Sequence, residues 1–302
     1  MPRPRIHVTA PVPVEVDEAL RRDFQTSDSP ERVEGIVAML TTRVDGAYLD
    51  RVGPQLKVVA NYAVGVNNVD LAAAAERNVV VANTPDVLTR ATAELAVGLM
   101  LAQLRRIAEG DRFVRRRDQW LFSLEFMLGS SLDGKRLLVV GPGRIGRETA
   151  RLAEALGARP AFAGRADDLH ALLAEADIVS LHVPLTPETR HLIGAEALSA
   201  MRRSAILVNT ARGPIVDERA LVEALRAGEI AGAALDVFER EPEVEEGLLG
   251  LENVVLTPHL GSAVTELRES MANVVADNIM AVLEGRQPPN CWNPEIYASL
   301  KG

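Results

Sequence analysis

Four apolar residues, Leu137-Leu138-Val139-Val140, run without a break into Gly141-Pro142-Gly143-Arg144-Ile145-Gly146 and then into a helical pattern. Few folds accept that order. After a strand and before a helix, glycines at this spacing permit a tight turn, a close backbone approach to a pyrophosphate, and close packing of helix on strand. Free amides and the helix dipole at the same point favour phosphate. The segment therefore predicts dinucleotide contacts at Gly141, Gly143, Arg144, Ile145 and Gly146. A turn that merely packs is the alternative, and the flanking strand and helix argue against it.

The rest of the chain repeats the same alternation. Short β-branched runs at 6–9, 36–40, 58–60 and 79–81 read as strands of a small parallel sheet. A long amphipathic helix is expected from Thr89 to Ile107, with Pro85 before it as punctuation. A second sheet follows, with strands at 137–140, 160–163, 178–182, 206–209, 233–237 and 254–256 and helices at 145–156, 169–175, 195–201 and 218–227. The expected fold class is α/β, with two doubly wound parallel-sheet domains. The last helix, about 265–284, has no strand left to pair with in its own unit and is expected to cross back. The domains are then 1–86 with 267–302, and 87–266.

Composition narrows the function classes. With 47% hydrophobic residues, 302 residues suffice for two packed cores. A net charge of -9 gives no general attraction to nucleic acid or anionic lipid. The short basic run Arg115-Arg116-Arg117 reads as a solvated helix face. The single cysteine, Cys291, forms no internal disulfide, and no Cys/His grouping has metal-ligand spacing. The opening residues Met-Pro-Arg-Pro-Arg-Ile-His-Val-Thr lack an apolar leader core, and the apolar stretches fall short of a membrane span. These features predict a cytoplasmic protein with no membrane, nucleic-acid or metal partner.

About 18 residues past Gly146 an acidic residue would ordinarily accept from the adenosine ribose and exclude a 2'-phosphate. This chain has Gly164 and Arg165 there. A guanidinium in place of a carboxylate predicts NADPH over NADH, because Arg holds phosphate through two parallel hydrogen bonds. Asp167 and Asp168 are close enough to restore NADH binding if the loop folds back.

Three later segments each end a strand with a polar residue, where open α/β sheets bind ligands. The first, 206–213, stops at Arg212 beside Gly213; a guanidinium there can hold a carboxylate and polarise the neighbouring carbonyl. The second carries Asp236 and Glu241, and the third Thr257-Pro258-His259. Reducing a ketone requires a proton for oxygen as hydride reaches carbon, and an imidazolium backed by a carboxylate suits that task. The joint pattern favours Arg212, Glu241 and His259 as a catalytic set over a surface Arg and a core His. His7, His170 and His191 show no comparable setting, and His182 reads as wall.

These stretches, with 60–70 (Ala60-Asn61-Tyr62 to Asp70), 83–89 (Asn83-Thr84-Pro85 to Thr89), 209–213 and Gly261-Ser262-Ala263, resemble the D-2-hydroxyacid dehydrogenase family over nearly the whole chain, in particular its glyoxylate/hydroxypyruvate reductase branch. The resemblance implies two Rossmann-like domains with the active site in the cleft between them, and a homodimer. It implies that Arg212 binds a small 2-oxo acid, that Glu241 tunes His259, and that His259 donates the proton. Backbone amides of Val64 and Gly65 would receive the substrate carboxylate. Asp236 would orient the nicotinamide carboxamide, with Val183, Pro184, Thr210 and Gly261 along the cofactor. Relatives usually carry a further strand where this chain passes from Arg165 almost directly to Leu169, so the adenine side of the sheet is expected to be trimmed. The apolar loop 120–128 is expected at the dimer contact. A nucleotide-sensing corepressor of similar fold is the alternative from another class; it requires a peptide-binding surface rather than turnover.

Overall fold

The structure is a computed structural model that describes residues 3–299; positions 1, 2 and 300–302, the outer ends of the expected first domain, lie outside the described residues. The chain divides into two compact units, one formed by residues up to Leu88 together with those from Val264 onward, the other by Thr89–Ala263.

The first unit begins β1 (Arg5–Val8), α1 (Val14–Asp23), β2 (Gln25–Ser27), β3 (Gly35–Ala38), α2 (Gly46–Val52), β4 (Val58–Asn61), α3 (Leu71–Glu76) and β5 (Val80–Ala82). All strand pairs are parallel, in the order β2-β1-β3-β4-β5. The strands β3, β4 and β5 are buried along their whole length. Such strands read as unbroken apolar runs because helices cover both faces. The edge strand β2, Gln-Thr-Ser, has no apolar alternation and was not expected from the sequence; its backbone pairing with β1 alone makes it a strand. Asp45 and Asp70 accept from the amides of Tyr48 and Ala73 and so start α2 and α3.

The second unit contains α4 (Thr89–Leu104), α5 (Ile107–Arg115), β6 (Arg136–Val140), α6 (Arg144–Ala155), β7 (Arg159–Ala163), α7 (Leu169–Leu173), β8 (Ile178–Leu181), α8 (Ala195–Ala200), β9 (Ile206–Asn209), α9 (Glu218–Ala227), β10 (Gly232–Leu235), α10 (Glu246–Leu249) and β11 (Val254–Leu256), with one 3-10 turn at Gly213–Ile215. Its sheet is parallel in the order β11-β10-β9-β8-β6-β7. From β6 the chain moves outward to β7 and then returns to β8 on the other side, so the direction of winding reverses between β6 and β8. Ligands of open α/β sheets bind outside the strand ends at such a reversal. The sheet stops at β7, and a single short helix, α7, leads back to β8.

The expected helix 89–107 needs correction. It ends at Leu104, Arg106 takes a left-handed φ of 53°, and α5 starts anew at Ile107. Nor is α4 amphipathic: Ala91, Thr92, Ala93, Ala96, Val97, Leu99, Met100 and Leu104 are all buried. It packs on α6 and also on β9 and β10, and a helix covered on several sides carries apolar residues all round.

The chain then re-enters the first unit as α11 (Thr265–Leu283) and α12 (Pro294–Ser299). The helix α11 lies on α1 and β4. Within it, buried Asn278 donates to the carbonyl of Asn83 at 3.0 Å and accepts from the amide of Asn290 at 3.0 Å. Asn293 accepts from Val81 N–H at 2.8 Å and donates to the Val79 carbonyl at 3.1 Å, which closes the open edge of β5.

Candidate active site

The dinucleotide turn is built as its glycines require. Gly141 has φ of 99°, and a Cβ on it would lie 2.8 Å from the backbone of His182 and Val183, at the end of the neighbouring strand. On Gly146 a Cβ would meet the Gly141 carbonyl oxygen at 2.3 Å, so α6 can start this close to β6 only with glycine there. Above Gly143, the residue capping α6, the space is open. Gly143 and Arg144 are exposed at this mouth, with Ile145 half-buried. Thr210 lies at the end of β9, buried, with an Oγ1 that has no hydrogen-bond partner. An open glycine cradle at a helix N-terminus and an orphaned buried hydroxyl fit a dinucleotide.

At the end of β7 the amide of Gly164 donates to Asp167 Oδ2 at 2.7 Å, while Asp168 accepts from Ala171 N–H at the start of α7. The loop does fold back, and both carboxylates are engaged by local amides; Arg165 is exposed. Val183 is half-buried and Pro184 exposed after β8, and the Pro184 carbonyl accepts from Thr189 Oγ1 at 2.7 Å. His182 sits with Nε2 2.9 Å from Ser180 Oγ, and burial pushes its ring down to about 4, so it is neutral at pH 7. That suits a wall, not an acid.

Beyond β9, Asn209 shapes the loop that presents Arg212: its Oδ1 accepts from Ala211 N–H at 3.0 Å and its Nδ2 donates to the Arg212 carbonyl at 2.9 Å. Burial lowers the Arg212 guanidinium from its ordinary value, opposed by the charge of Glu241, and it stays charged. Gly213 follows because nothing larger fits; a Cβ there would lie 1.9 Å from the Phe238 carbonyl carbon.

Asp236, fully buried after β10, organises the third segment. Its Oδ1 accepts from Thr257 Oγ1 at 2.6 Å and from Leu260 N–H at 2.7 Å, and its Oδ2 from Gly261 N–H at 2.9 Å. Its backbone carbonyl accepts from His259 N–H at 2.8 Å. This wrap holds His259 at φ of 55°, a left-handed conformation that a non-glycine residue keeps only when its surroundings impose it. The sequence expectation for Asp236 named only a carboxamide contact; the observed hydrogen bonds make it the anchor of the His259 loop.

His259 Nδ1 lies 2.8 Å from Glu241 Oε2, and Glu241 Oε1 accepts from Phe238 N–H at 3.0 Å. Burial would raise the Glu241 carboxyl, yet the hydrogen bonds from His259 and Phe238, with the charges of His259 and Arg212, hold it below the usual carboxylate range. An ionised carboxylate only accepts, so Nδ1 carries the hydrogen and Nε2 is left to give or take a proton. Arg212, Glu241 and His259 thus come together, from three strand ends of one sheet.

Val64 and Gly65 belong to the first unit. Their carbonyls accept from Asn83 Nδ2 at 2.7 Å and Asn61 Nδ2 at 2.6 Å, and among the described residues their amides have no acceptor in the protein. One reading fails: His191, set aside for want of a setting, has Glu239 Oε1 2.6 Å from its Nε2. The two are 48 positions apart, and no local pattern signals the pairing. Among the described residues no helix is long and apolar enough to cross a membrane, and no group of His, Cys, Asp or Glu is arranged to hold a metal.

Residues 97–261 match the family described as D-isomer specific 2-hydroxyacid dehydrogenase, NAD binding domain. A glyoxylate reductase of Thermococcus litoralis is 45% identical over 284 residues, 88% of this chain and 86% of the relative. One from Korarchaeum cryptofilum is 43% identical over 97% of each chain. Among solved structures, an NADPH-dependent glyoxylate/hydroxypyruvate reductase of Sinorhizobium meliloti, in complex with citrate, superposes with a TM-score of 0.86 at 35% identity, over 96% of this chain and 97% of that one. The chain therefore belongs to the D-isomer specific 2-hydroxyacid dehydrogenase family and is an oxidoreductase whose second unit is an NAD-binding domain.

Proposed function

We propose that this enzyme reduces glyoxylate or hydroxypyruvate to glycolate or D-glycerate, with NADPH as the preferred reductant. The observation that carries the reading is the His259–Glu241 pair at 2.8 Å, with Arg212 near enough to bias the Glu241 carboxyl. Arg212 holds the carboxylate of the 2-oxo acid through its fork and turns a further N–H toward the carbonyl oxygen. The amides of Val64 and Gly65, which have no acceptor among the described residues, suit a small carboxylate. When bound, the reduced nicotinamide supplies hydride to the carbonyl carbon. His259 delivers a proton from Nε2 to the oxygen that becomes hydroxyl, and Glu241 stabilises the imidazolium before the transfer. Gly141, Gly143, Arg144, Ile145 and Gly146 hold the pyrophosphate, with Val183, Pro184, Thr210, Asp236 and Gly261 along the rest of the cofactor.

The preference for NADPH is supported by exposed Arg165 beside Gly164, where an acidic residue would ordinarily select NADH. The Sinorhizobium meliloti relative carries the same dependence in its name. We also propose a cytoplasmic homodimer. The deciding experiment follows nicotinamide absorbance over a panel of 2-oxo acids with NADH and NADPH in turn. Glyoxylate or hydroxypyruvate with NADPH should give the highest kcat/KM; a clear preference for NADH, or for a bulkier keto acid, overturns the corresponding part.

A further inference from the structure

A second histidine–carboxylate pair lies beside the first. His191, in the loop between β8 and α8, puts Nε2 2.6 Å from Glu239 Oε1, and Arg190 Nη2 reaches the same oxygen at 3.7 Å. The backbone of Glu239 is held as well: its amide donates to Glu218 Oε1 at 2.8 Å. Glu218 is buried, which pushes its carboxyl up, and the charge of Glu239 pushes the same way. Two acidic side chains this close repel unless donors face them, and His191 and Arg190 supply those donors. The remaining charged groups around the cluster are Asp217, 3.9 Å from His191 Nδ1, and the Arg240–Glu245 pair.

Position gives the cluster its consequence. The His191 amide donates to the Pro214 carbonyl at 2.8 Å, in the turn just after Arg212. Its ring reaches Glu239, two residues before Glu241. The peptide between Phe238 and Glu239 lies against Gly213, and Phe238 N–H is the donor to Glu241 Oε1. His191 therefore ties the Arg212 loop to the Glu241 loop. It does so at φ of 51°, a left-handed conformation uncommon for a non-glycine residue. An uncomplicated surface histidine has no reason to sit there.

We propose that Glu239, gripped by His191 through its side chain and by Glu218 through its amide, is a positioning residue that sets where the Glu241 carboxylate meets His259. The role rests on the reading of His259 as proton donor. Releasing Glu239 lets the Glu241 carboxylate drift from the imidazole, so the ring loses its orientation and turnover falls while substrate and cofactor still bind.

His191→Asn isolates the ring, because asparagine tolerates the left-handed backbone but is too short to reach Glu239. The expected result is a kcat loss of about tenfold, an order typical of removing a partner that orients a reacting group. KM for NADPH should hold. His191→Gln, which keeps a donor on a longer stem, should recover most of the lost kcat. Glu239→Ala keeps the backbone amide bond to Glu218 but leaves His191 no acceptor, and reports the same loss if the asparagine variant does not fold. A lower Tm with kcat unchanged in both His191→Asn and Glu239→Ala, or a KM that rises in step with any loss of kcat, overturns the proposal. His259→Gln assayed in parallel separates the failures: if it turns over like the parent, the proton-donor reading is wrong, and if it is inactive while kcat of the other variants is unchanged, only the positioning role is lost.

Discussion

His259 has one ring nitrogen committed to Glu241 and the other free, and that asymmetry makes it a directional proton donor. Replacing it by glutamine keeps the volume and a hydrogen-bond partner for Glu241 but removes the transferable proton. Turnover should fall by about 10²- to 10⁴-fold, with the Kd for NADPH, read by fluorescence, near that of the parent. Arg212→Lys replaces a fork with a point charge and should cost roughly ten- to a hundredfold in kcat/KM, the range expected for a lost charge-assisted hydrogen bond. Glu241 makes a pH prediction. Burial pushes its carboxyl up, but His259, the Phe238 amide and the two cations outweigh this and leave it below the unfolded value. Its contribution to stability is thus present above the unfolded carboxylate range and lost as pH falls through the lower, folded value. The Tm difference between the parent and Glu241→Gln should be largest near neutral pH and should vanish under acid conditions.

At the level of elements, glycines decide how closely loops meet. Gly213 lets the turn after β9 press against the Phe238–Glu239 peptide, and the neighbouring atoms there are backbone that cannot rotate away. Gly213→Ala should lower stability by about 1–3 kcal/mol or more, the range for overpacking, visible as a reduced Tm and a loss of activity together. Gly146→Ala forces α6 away from β6 and should weaken NADPH binding before it affects the His259–Glu241 pair. The elements legible in the sequence were those with a local cause. The helix α9 starts after Asp217, which caps it, and stops where Gly228 takes a left-handed φ, so its bounds follow from those residues. The polar edge strand β2 had no such signal, because β1 alone recruits it. The break after Leu104 was hidden for the same reason: an apolar run reads as one helix when the left-handed turn at Arg106 bears no glycine.

For the whole molecule, the loop 120–128 raises the question of assembly. Trp120 stacks on Phe126 with ring centroids 5.8 Å apart, and Phe113 meets Phe126 edge-on at 5.5 Å. Leu121, Phe122 and Leu124 nonetheless stand 85–87% exposed. Apolar side chains presented in this way mark association surfaces. If the homodimer forms through this loop, Leu121→Asp with Phe122→Asp should convert a dimer into a monomer in size-exclusion chromatography with light scattering. A monomeric parent would remove that part of the reading. The basic run ending α5 is answered by acids, with Arg115 on Asp111 at 2.8 Å and Arg116 on Glu252 at 2.7 Å, so it offers little free positive field.

Sequence alone determined the parallel-sheet architecture and the glycine turn, and it singled out Arg212, Glu241 and His259 as the proposed catalytic set. Each depends on short-range rules: a buried strand must be apolar, a turn at a phosphate must lack a Cβ, and a residue placed just past a strand end faces the ligand. Tertiary structure decided the rest. Only packing brings Asp236 under the His259 loop, folds Asp167 onto Gly164, and seats His191 on Glu239 across 48 positions. Those contacts join segments distant along the chain, and their energy exists only once the sheet has set the spacing between strand ends.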